Sequence, residues 1–250
     1  MKHLFLSTLA LGLLAVSCNS QESATTMESD PMEHNTLTEQ EIADGWELLF
    51  DGESMEHWRV YNQEDIPAGW VVEDGAMVFD PEQRNDQYGL DIITRETYGD
   101  FELKLEWWLS EAGNSGIFYH VIEQKDKALY WSGPEMQILD NENHPDTDQG
   151  VDGNRKAGSL YDLIPAVPQN AKSHGQWNSV KIVARGDVIE HWQNGEMVLS
   201  FDRSSEEFKE LVAGSKFAPH PEFGTAAEGH IALQDHGDLV KFRNIKIRSL

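Results

Sequence analysis

The sequence predicts an all-β domain built as a two-sheet antiparallel sandwich. Apolar and polar residues alternate with a period of two from Trp46 onward, which is the pattern of strands that bury one face. Pairs of turn residues, such as Asp74-Gly75 and Asn194-Gly195, recur between these segments as hairpin turns do. One short helical segment and the lack of a strand–helix–strand rhythm exclude a parallel α/β sheet.

The individual elements follow from these patterns. The clearest strand is predicted over 100–110, with Phe101, Leu103, Leu105, Trp107 and Leu109 on the buried face and Glu102, Lys104, Glu106, Trp108 and Ser110 on the other. Hairpins are predicted to join 70–73 to 76–79, 180–185 to 188–192, 188–192 to 197–201, and 231–236 to 239–247. A helix is predicted over 204–212, because a serine stands at its start and Gly214 follows its end.

The composition excludes several classes of function. Lys and Arg number 19 against 44 Asp and Glu, a formal net charge of −25, so the surface repels phosphate backbones and anionic bilayers. Nucleic-acid binding by charge is therefore excluded. Hydrophobic residues make up 39% of the chain, too many for a disordered polyanion. A single cysteine excludes an internal disulfide.

The N-terminus has the pattern of a secretory signal peptide. Lys2 and His3 precede an apolar run over 4–16 that is too short to span a bilayer. Small residues lead to Cys18, which resembles a bacterial lipobox whose cysteine is lipidated; the alternative is a plain signal peptide with an incidental cysteine. We expect a signal peptide over 1–18, a polar flexible tether over 19–43 and the folded domain over 44–250. The expected location is the bacterial outer membrane, on its periplasmic or surface side, held through the lipid alone.

The strand over 133–140 is the most suggestive place for chemistry. Met136 and Ile138 suit the core, so Glu135 and Gln137 share the opposite face at about 6–7 Å. This places a general acid or base beside an amide that can hold a hydroxyl, although a solvated strand face gives the same pattern. A second carboxylate at the two-residue spacing is missing, which argues against a two-carboxylate glycosidase on this strand.

Other candidate residues lie on strand faces and at strand ends. Glu106 and Trp108 point away from the core, as a sugar platform with a polar anchor does, or as a loop-covered face does. His191 is ambiguous between core and site. Gln234 and His236 share a face at a strand end, with Asp235 between them; a functional rim and a hairpin cap both fit.

The loop over 140–152 is dense in oxygen ligands. It fails the EF-hand pattern, with Ala157 where the closing glutamate belongs, so a solvated acidic loop or a divalent-cation site built with a histidine remains. HExxH, CxxC and GxSxG motifs are absent from the sequence, which removes zincin, thiol and serine-hydrolase functions.

Eight segments in order resemble the 3-keto-disaccharide hydrolase domain family across about 45–250. They are the segments 46–52 (WELLFDG), 98–107 (YGDFELKLEW), 113–119 (GNSGIFY), 133–140 (GPEMQILD), 158–163 (GSLYDL), 190–195 (EHWQNG), 229–237 (GHIALQDHG) and 242–247 (FRNIKI). The resemblance implies a concanavalin A-like jelly roll, often lipid-anchored, and cleavage of glycosides whose sugar carries a ketone at carbon 3. Such a ketone acidifies the hydrogen on carbon 2, so one base can start an elimination that water addition completes as net hydrolysis.

We assign the roles of this reaction by face and chemistry. Glu135, or His236 backed by Asp235, is the predicted base, and Glu106 is the leaving-group acid or a metal ligand. Hydroxyl-orienting or other substrate-binding roles are predicted for Gln137, Tyr161, Asn114, Gln234 and His191, and a sugar platform for Trp108 and Tyr119. A divalent cation is a further expectation, with no ligands assigned.

Two other functions stay open. A carbohydrate-binding lipoprotein would use the same concave face without catalysis, and a conventional endo-glucanase is disfavoured by the Glu-x-Gln spacing.

Overall fold

The computed structural model describes residues 1, 34–84 and 90–250 of the 250-residue chain. Within these ranges the predicted all-β, two-sheet antiparallel sandwich is confirmed. The predicted signal peptide, Cys18 and the first part of the predicted tether lie outside the described residues. No helix within the described ranges is long and apolar enough to cross a membrane.

The strands in chain order are β1 (Glu47–Leu48), β2 (Trp58–Val60), β3 (Trp70–Glu73), β4 (Ala76–Phe79), β5 (Ile92–Thr94), β6 (Phe101–Leu109), β7 (Asn114–Val121), β8 (Glu135–Leu139), β9 (Asn178–Arg185), β10 (Val188–Gln193), β11 (Glu196–Asp202), β12 (His230–Leu233) and β13 (Val240–Ser249). In the described part of the chain, one sheet has eight strands, in the order β11-β10-β9-β6-β13-β4-β3 with β1 also paired to β13. The other has five, in the order β2-β5-β12-β7-β8. The α-helices in these ranges are α1 (Glu39–Ala43) and α2 (Glu206–Ala213).

The two-residue alternation places one face of each sheet in a shared core. On β6 the predicted inward residues Phe101, Leu103, Leu105, Trp107 and Leu109 are all buried. Burying this apolar surface drives the packing, at about 25 cal/mol per Å² removed from water. The outer faces of the two sheets remain for other uses, and the site lies on one of them.

Three of the four predicted hairpins are confirmed, and one is wrong. The segment 231–236 does not pair with 239–247, because β12 lies in the five-stranded sheet and β13 in the eight-stranded sheet. The chain leaves the strand after Leu233, and Gly237, with φ of +97°, turns it across to the other sheet. A Gly-Asp pair has the same local signature whether it closes a hairpin or connects two sheets.

The predicted helix is present as α2. The Ser205 hydroxyl accepts from the backbone N–H of Phe208, and Gly214 follows the last helical residue. Phe208 is the buried residue through which α2 packs on the core.

The folded unit begins earlier than the predicted Asp44. The backbone N–H of Asn35 donates to Asn244 Oδ1, and the Asn244 N–H donates back to Asn35 Oδ1, at 2.7 and 2.8 Å. In α1, Glu41 accepts from the Lys246 ammonium on β13. Residues 34–43, which were expected to belong to the tether, therefore bind to the eight-stranded sheet. Their polar composition did not indicate α1, because this helix buries none of its residues.

Candidate active site

A cleft with a volume of about 370 Å³ lies on the outer face of the five-stranded sheet. Its lining brings together seven residues predicted from sequence: Asn114, Glu135, Gln137, Tyr161, Gln234, Asp235 and His236. Four further residues of the lining were not predicted: Asp91, Tyr130, Lys216 and Phe217. A concave pocket with converging titratable groups is the usual form of a catalytic or binding site.

Strand register explains why the predicted residues converge. On β8, Met136 and Ile138 enter the core, which turns Glu135 and Gln137 outward as predicted. The partner strand β7 places Gly116 opposite Gln137. Beyond β8, the segment 158–164 continues the sheet, since the Tyr161 N–H donates to the Glu135 carbonyl at 3.0 Å.

Gly116 makes room for the Glu135 carboxyl. A β-carbon built on Gly116 would overlap Glu135 Oε1. The backbone dihedrals of Gly116 themselves are ones that any residue could adopt. The carboxyl therefore lies down across the sheet surface instead of standing out into solvent, and only 8% of Glu135 is exposed. The glycine is required by space rather than by conformation.

Gln137 couples its amide to that carboxyl. With its nitrogen turned toward Glu135, the Gln137 amide donates to Glu135 Oε1 at 2.9 Å and to the Ser115 carbonyl at 3.2 Å. The other orientation faces the amide oxygen to the carboxyl, which suits a protonated Glu135. The two amide orientations thus match the two protonation states of the acid.

The acids of the cleft hold their protons unusually tightly. Burial raises the pKa of Glu135 to about 8; the Lys216 charge opposes the rise, and nearby carboxylates, Asp91 first, add to it. Burial also raises the pKa of Asp91 to about 7, although the Asp235 N–H bonded to its carboxylate at 2.9 Å lowers it. Perturbed acids grouped in one cleft are typical of catalytic sites.

Asp235 does not support His236 as predicted. Its carboxylate accepts from the backbone N–H groups of Leu90 and Gly237, at 3.3 and 2.9 Å, and lies 3.5 Å from Arg84. His236 stands exposed at the rim of the cleft, with Nε2 3.4 Å from the Asn114 amide. Asp235 therefore fixes the backbone that carries His236 rather than orienting its ring.

Gln234 and Tyr161 offer acceptors to a ligand. Gln234 Oε1 is buried and has no hydrogen-bond partner within the described ranges. The Tyr161 hydroxyl donates its proton to Asp146 at 2.8 Å, so its oxygen is left to accept. Arg155 holds the other oxygen of Asp146 at 2.7 Å, which fixes the network.

Four predicted site residues lie elsewhere. Glu106 and Trp108 are on β6, in the eight-stranded sheet, where Glu106 pairs with Arg243 at 2.7 Å. Tyr119 and His191 are buried between the sheets, where the Tyr119 hydroxyl lies 3.0 Å from His191 Nε2 and His191 Nδ1 lies 3.0 Å from the Gly158 carbonyl. The expected sugar platform of Trp108 and Tyr119 is therefore wrong.

Three carboxylates of the acidic loop over 140–152 are hydrogen-bonded within the fold: those of Asp140, Glu142 and Asp146. Asp140 accepts from the backbone N–H groups of Ala112 and Glu142 and from the Asn143 amide. Across the ranges that the structure describes, no group of three or more His, Cys, Asp or Glu side chains is arranged to hold a metal ion. The described donor set therefore does not fit the expected divalent cation.

The unpredicted residues had weak signals in the sequence. Asp91 stands directly before the apolar strand β5, and such a lone acid at a strand start could have marked it. Lys216 and Phe217 follow α2 in an irregular segment, so no periodicity indicates where they point. Tyr130 lies in a short 3₁₀ turn over Leu129–Trp131, and 38% of its surface is exposed.

Comparison with known proteins identifies the family. The 3-keto-alpha-glucoside-1,2-lyase-like domain matches residues 45–248, nearly the whole folded unit. The chain belongs to this family. It is also 38% identical to a 3-keto-disaccharide hydrolase of Bacteroides thetaiotaomicron, with 97% of this chain and 96% of that protein covered. The predicted family is thereby confirmed, and the chain is an enzyme.

Solved structures agree with the fold. The crystal structure of a candidate glycosyl hydrolase from Parabacteroides distasonis ATCC 8503 superposes with a TM-score of 0.81 at 34% identity, covering 87% of this chain and all of that one. A Bacillus subtilis protein of galectin-like fold reaches a TM-score of 0.51 at 12% identity, covering 87% of this chain and 95% of that one. The lyase-like domain thus has a concanavalin A-like sandwich fold, as predicted.

Proposed function

We propose that this enzyme cleaves glycosides whose sugar carries a ketone at carbon 3, by elimination followed by hydration. Family membership and the 3-keto-disaccharide hydrolase at 38% identity support a glycoside-cleaving enzyme. The observation that carries the finer proposal is the Glu135 carboxyl, which lies over Gly116 beside Gln137 with a pKa of about 8.

The reaction needs one base and one acid. The base breaks the C2–H bond, and the electron pair moves through C2=C3 onto the ketone oxygen as an enolate. The enolate then re-forms the ketone, C1=C2 forms, and the C1–O bond breaks as the leaving oxygen takes a proton. Water adds its oxygen to C1 and a proton to C2, so the net change is hydrolysis.

Glu135 is the base in this proposal. Its raised pKa makes it a stronger base than an ordinary carboxylate, and roughly a tenth of the population is ionised at pH 7. The Gln137 amide donates to the ionised form and can turn as the proton arrives. Activity should therefore rise with pH up to about 8.

His236 replaces Glu106 as the acid for the leaving oxygen. Glu106 lies in the other sheet, whereas His236 stands at the rim where an aglycone would leave the cleft. The sugar hydroxyls then face the Gln137 and Asn114 amides and the free acceptor of Gln234.

The test is turnover of a 3-keto-disaccharide by the purified protein, followed by NMR with and without a chelator. We expect release of the aglycone and 3-keto sugar, and none from the unoxidised disaccharide. Absence of turnover, together with micromolar binding of the unoxidised sugar, would instead support a non-catalytic carbohydrate-binding protein.

Lipidation of Cys18 is proposed separately. Substitution Cys18→Ala should abolish incorporation of labelled fatty acid and release the protein from the membrane fraction of the producing bacterium. Unchanged fractionation would support a plain signal peptide.

A further inference from the structure

We propose that Lys216 is a catalytic residue, whose ammonium stabilises the enolate oxygen formed at carbon 3 of the substrate. The inference rests on the proposed function and concerns a residue that sequence patterns did not indicate. It supplies the positive charge that the elimination requires from a side chain of this cleft.

The charge balance of the cleft creates the need for such a residue. Asp91, Glu135 and Asp235 all line it, and their pKa values are raised by burial and, for Asp91 and Glu135, by neighbouring carboxylates. An enolate formed among these acids would be repelled by each ionised one. Preorganised positive charge at the developing oxyanion is commonly the largest catalytic contribution.

Among the described residues that line the cleft, Lys216 is the only lysine or arginine. Its ammonium lies 4.2 Å from the centre of the Tyr161 ring and 3.6 Å from Asp162 Oδ2. Its charge already lowers the pKa of Glu135, so it acts electrostatically on the proposed base. The Tyr161 hydroxyl cannot take its place, because its proton is donated to Asp146.

Lys216 can turn to a substrate at small cost. Asp162 is held more closely by Arg155, at 2.6 Å, so its charge stays compensated when the lysine moves. The lysine side chain is 39% exposed and has a flexible stem. The residue after it anchors the segment, since Phe217 is buried and stacks on Phe223 with ring centres 4.0 Å apart.

The experiment compares Lys216→Met, Lys216→Arg and the control Lys209→Met. Lys209 is an exposed lysine of α2 that pairs with Glu206, outside the cleft. Two rates are measured with a 3-keto-glucoside of 4-nitrophenol in deuterated water: deuterium entry at carbon 2, and release of nitrophenolate. This leaving group needs no protonation, so a loss of rate reports enolate formation rather than acid catalysis.

We expect Lys216→Met to lower both rates by about 10²–10³-fold through kcat, and Lys216→Arg to recover part of the loss. The pH at which the activity reaches its plateau should also be higher in Lys216→Met, because the charge that lowers the Glu135 pKa is gone. Lys209→Met should match the wild type.

Two results would overturn the role of Lys216: wild-type rates in Lys216→Met, or a change confined to KM. A wild-type enzyme inert toward the 3-keto substrate would instead refute the proposed function, and that outcome is visible before any variant is made. Circular dichroism of each variant separates loss of fold from loss of catalysis.

Discussion

Strand β6 of the eight-stranded sheet and strand β8 of the five-stranded sheet both carry glutamates on their outer faces, but these glutamates have different surroundings. On the eight-stranded sheet, Glu106 pairs with Arg243, and Glu102 lies between Arg248 and Lys181. On the five-stranded sheet, Glu135 is buried and no cationic side chain of the described ranges lies within 4.0 Å of it. Cations neutralise the two glutamates of β6, whereas burial raises the proton affinity of Glu135 in the cleft.

The aromatic residues do not divide between the two faces in the same way. On the eight-stranded face, Trp192 lies under the Lys181 ammonium at 3.9 Å and Trp177 under the Arg243 guanidinium at 4.0 Å. The faces of these rings are thus occupied by cationic side chains of the protein itself. In the cleft, Tyr161 likewise lies under a cation, the Lys216 ammonium at 4.2 Å. Neither the residue types nor a cation over an aromatic ring therefore distinguishes a site from a solvated face.

The largest expected difference is between matched glutamate substitutions on the two faces. Glu135→Gln should lower kcat/KM for a 3-keto-disaccharide by about 10²–10⁴-fold, because the neutral amide cannot accept the C2 proton. Glu106→Gln should leave kcat/KM within about twofold, since the Glu106 carboxylate pairs with Arg243 of its own sheet, away from the cleft. Equal effects of the two substitutions would contradict the assignment of the cleft as the active site.

A smaller loss is expected from Gly116→Ala. The added methyl group would overlap Glu135 Oε1 and displace the carboxyl from Gln137, which should cost about 10²-fold in kcat/KM. Gly99→Ala is the matched control, because a β-carbon there makes only an ordinary 3.6 Å contact with the Ala227 carbonyl. Full activity in Gly116→Ala, with its melting temperature unchanged, would show that the position of the carboxyl does not matter.

These two faces also show what sequence patterns can predict. Periodicity placed Phe101–Leu109 and Glu135–Leu139 correctly, because alternation reports directly which side of a strand is buried. Alternation does not say which sheet a strand joins, so Glu106 was assigned to the same site as Glu135 although the two lie in different sheets. Tyr119 and His191 were wrongly assigned to the site for a related reason. Their hydrogen bond satisfies two polar groups inside the core, and a strand pattern shows neither a residue's hydrogen-bond partner nor how deeply it is buried.

Residues outside regular strands were the least predictable part of the site. Lys216 reaches the cleft from the segment after α2, and Asp91 from the position directly before β5. Their positions depend on contacts between segments far apart in the chain, which no local pattern encodes. The seven predicted residues that line the cleft lie instead on strands, at the end of one, or in the segment beside β8.

The pH dependence of stability should separate the faces as well. Because the folded-state pKa of Glu135 is about 8, above the ordinary value of 4.5, wild-type stability falls as pH rises from about 4.5 to about 8. Glu135→Gln cannot ionise, so its melting temperature should gain several degrees on the wild type across this window and hold that gain above it. Glu106→Gln should show no such trend in differential scanning calorimetry.

Glu41, which is paired with Lys246 of the eight-stranded sheet, contributes to stability with the opposite pH dependence. Although partial burial acts to raise it, the pKa of Glu41 is lowered by its hydrogen bonds from Lys246 and Thr38. Its stabilising effect is present above the ordinary value of 4.5 and is lost as pH falls. A melting-temperature difference for Glu135→Gln that does not change with pH would contradict the buried, proton-binding state of the acid.

The smallest expected effect is that of Trp108→Ala. Trp108 lies beneath the Lys241 ammonium, 5.5 Å from the ring centre, on the face away from the cleft. Its removal takes away surface packing only, so kcat and KM should both stay within about twofold of the wild type. A KM raised tenfold with kcat unchanged would mean that the eight-stranded face also holds part of the carbohydrate, and that pairing with the protein's own cations does not prevent a tryptophan from binding sugar.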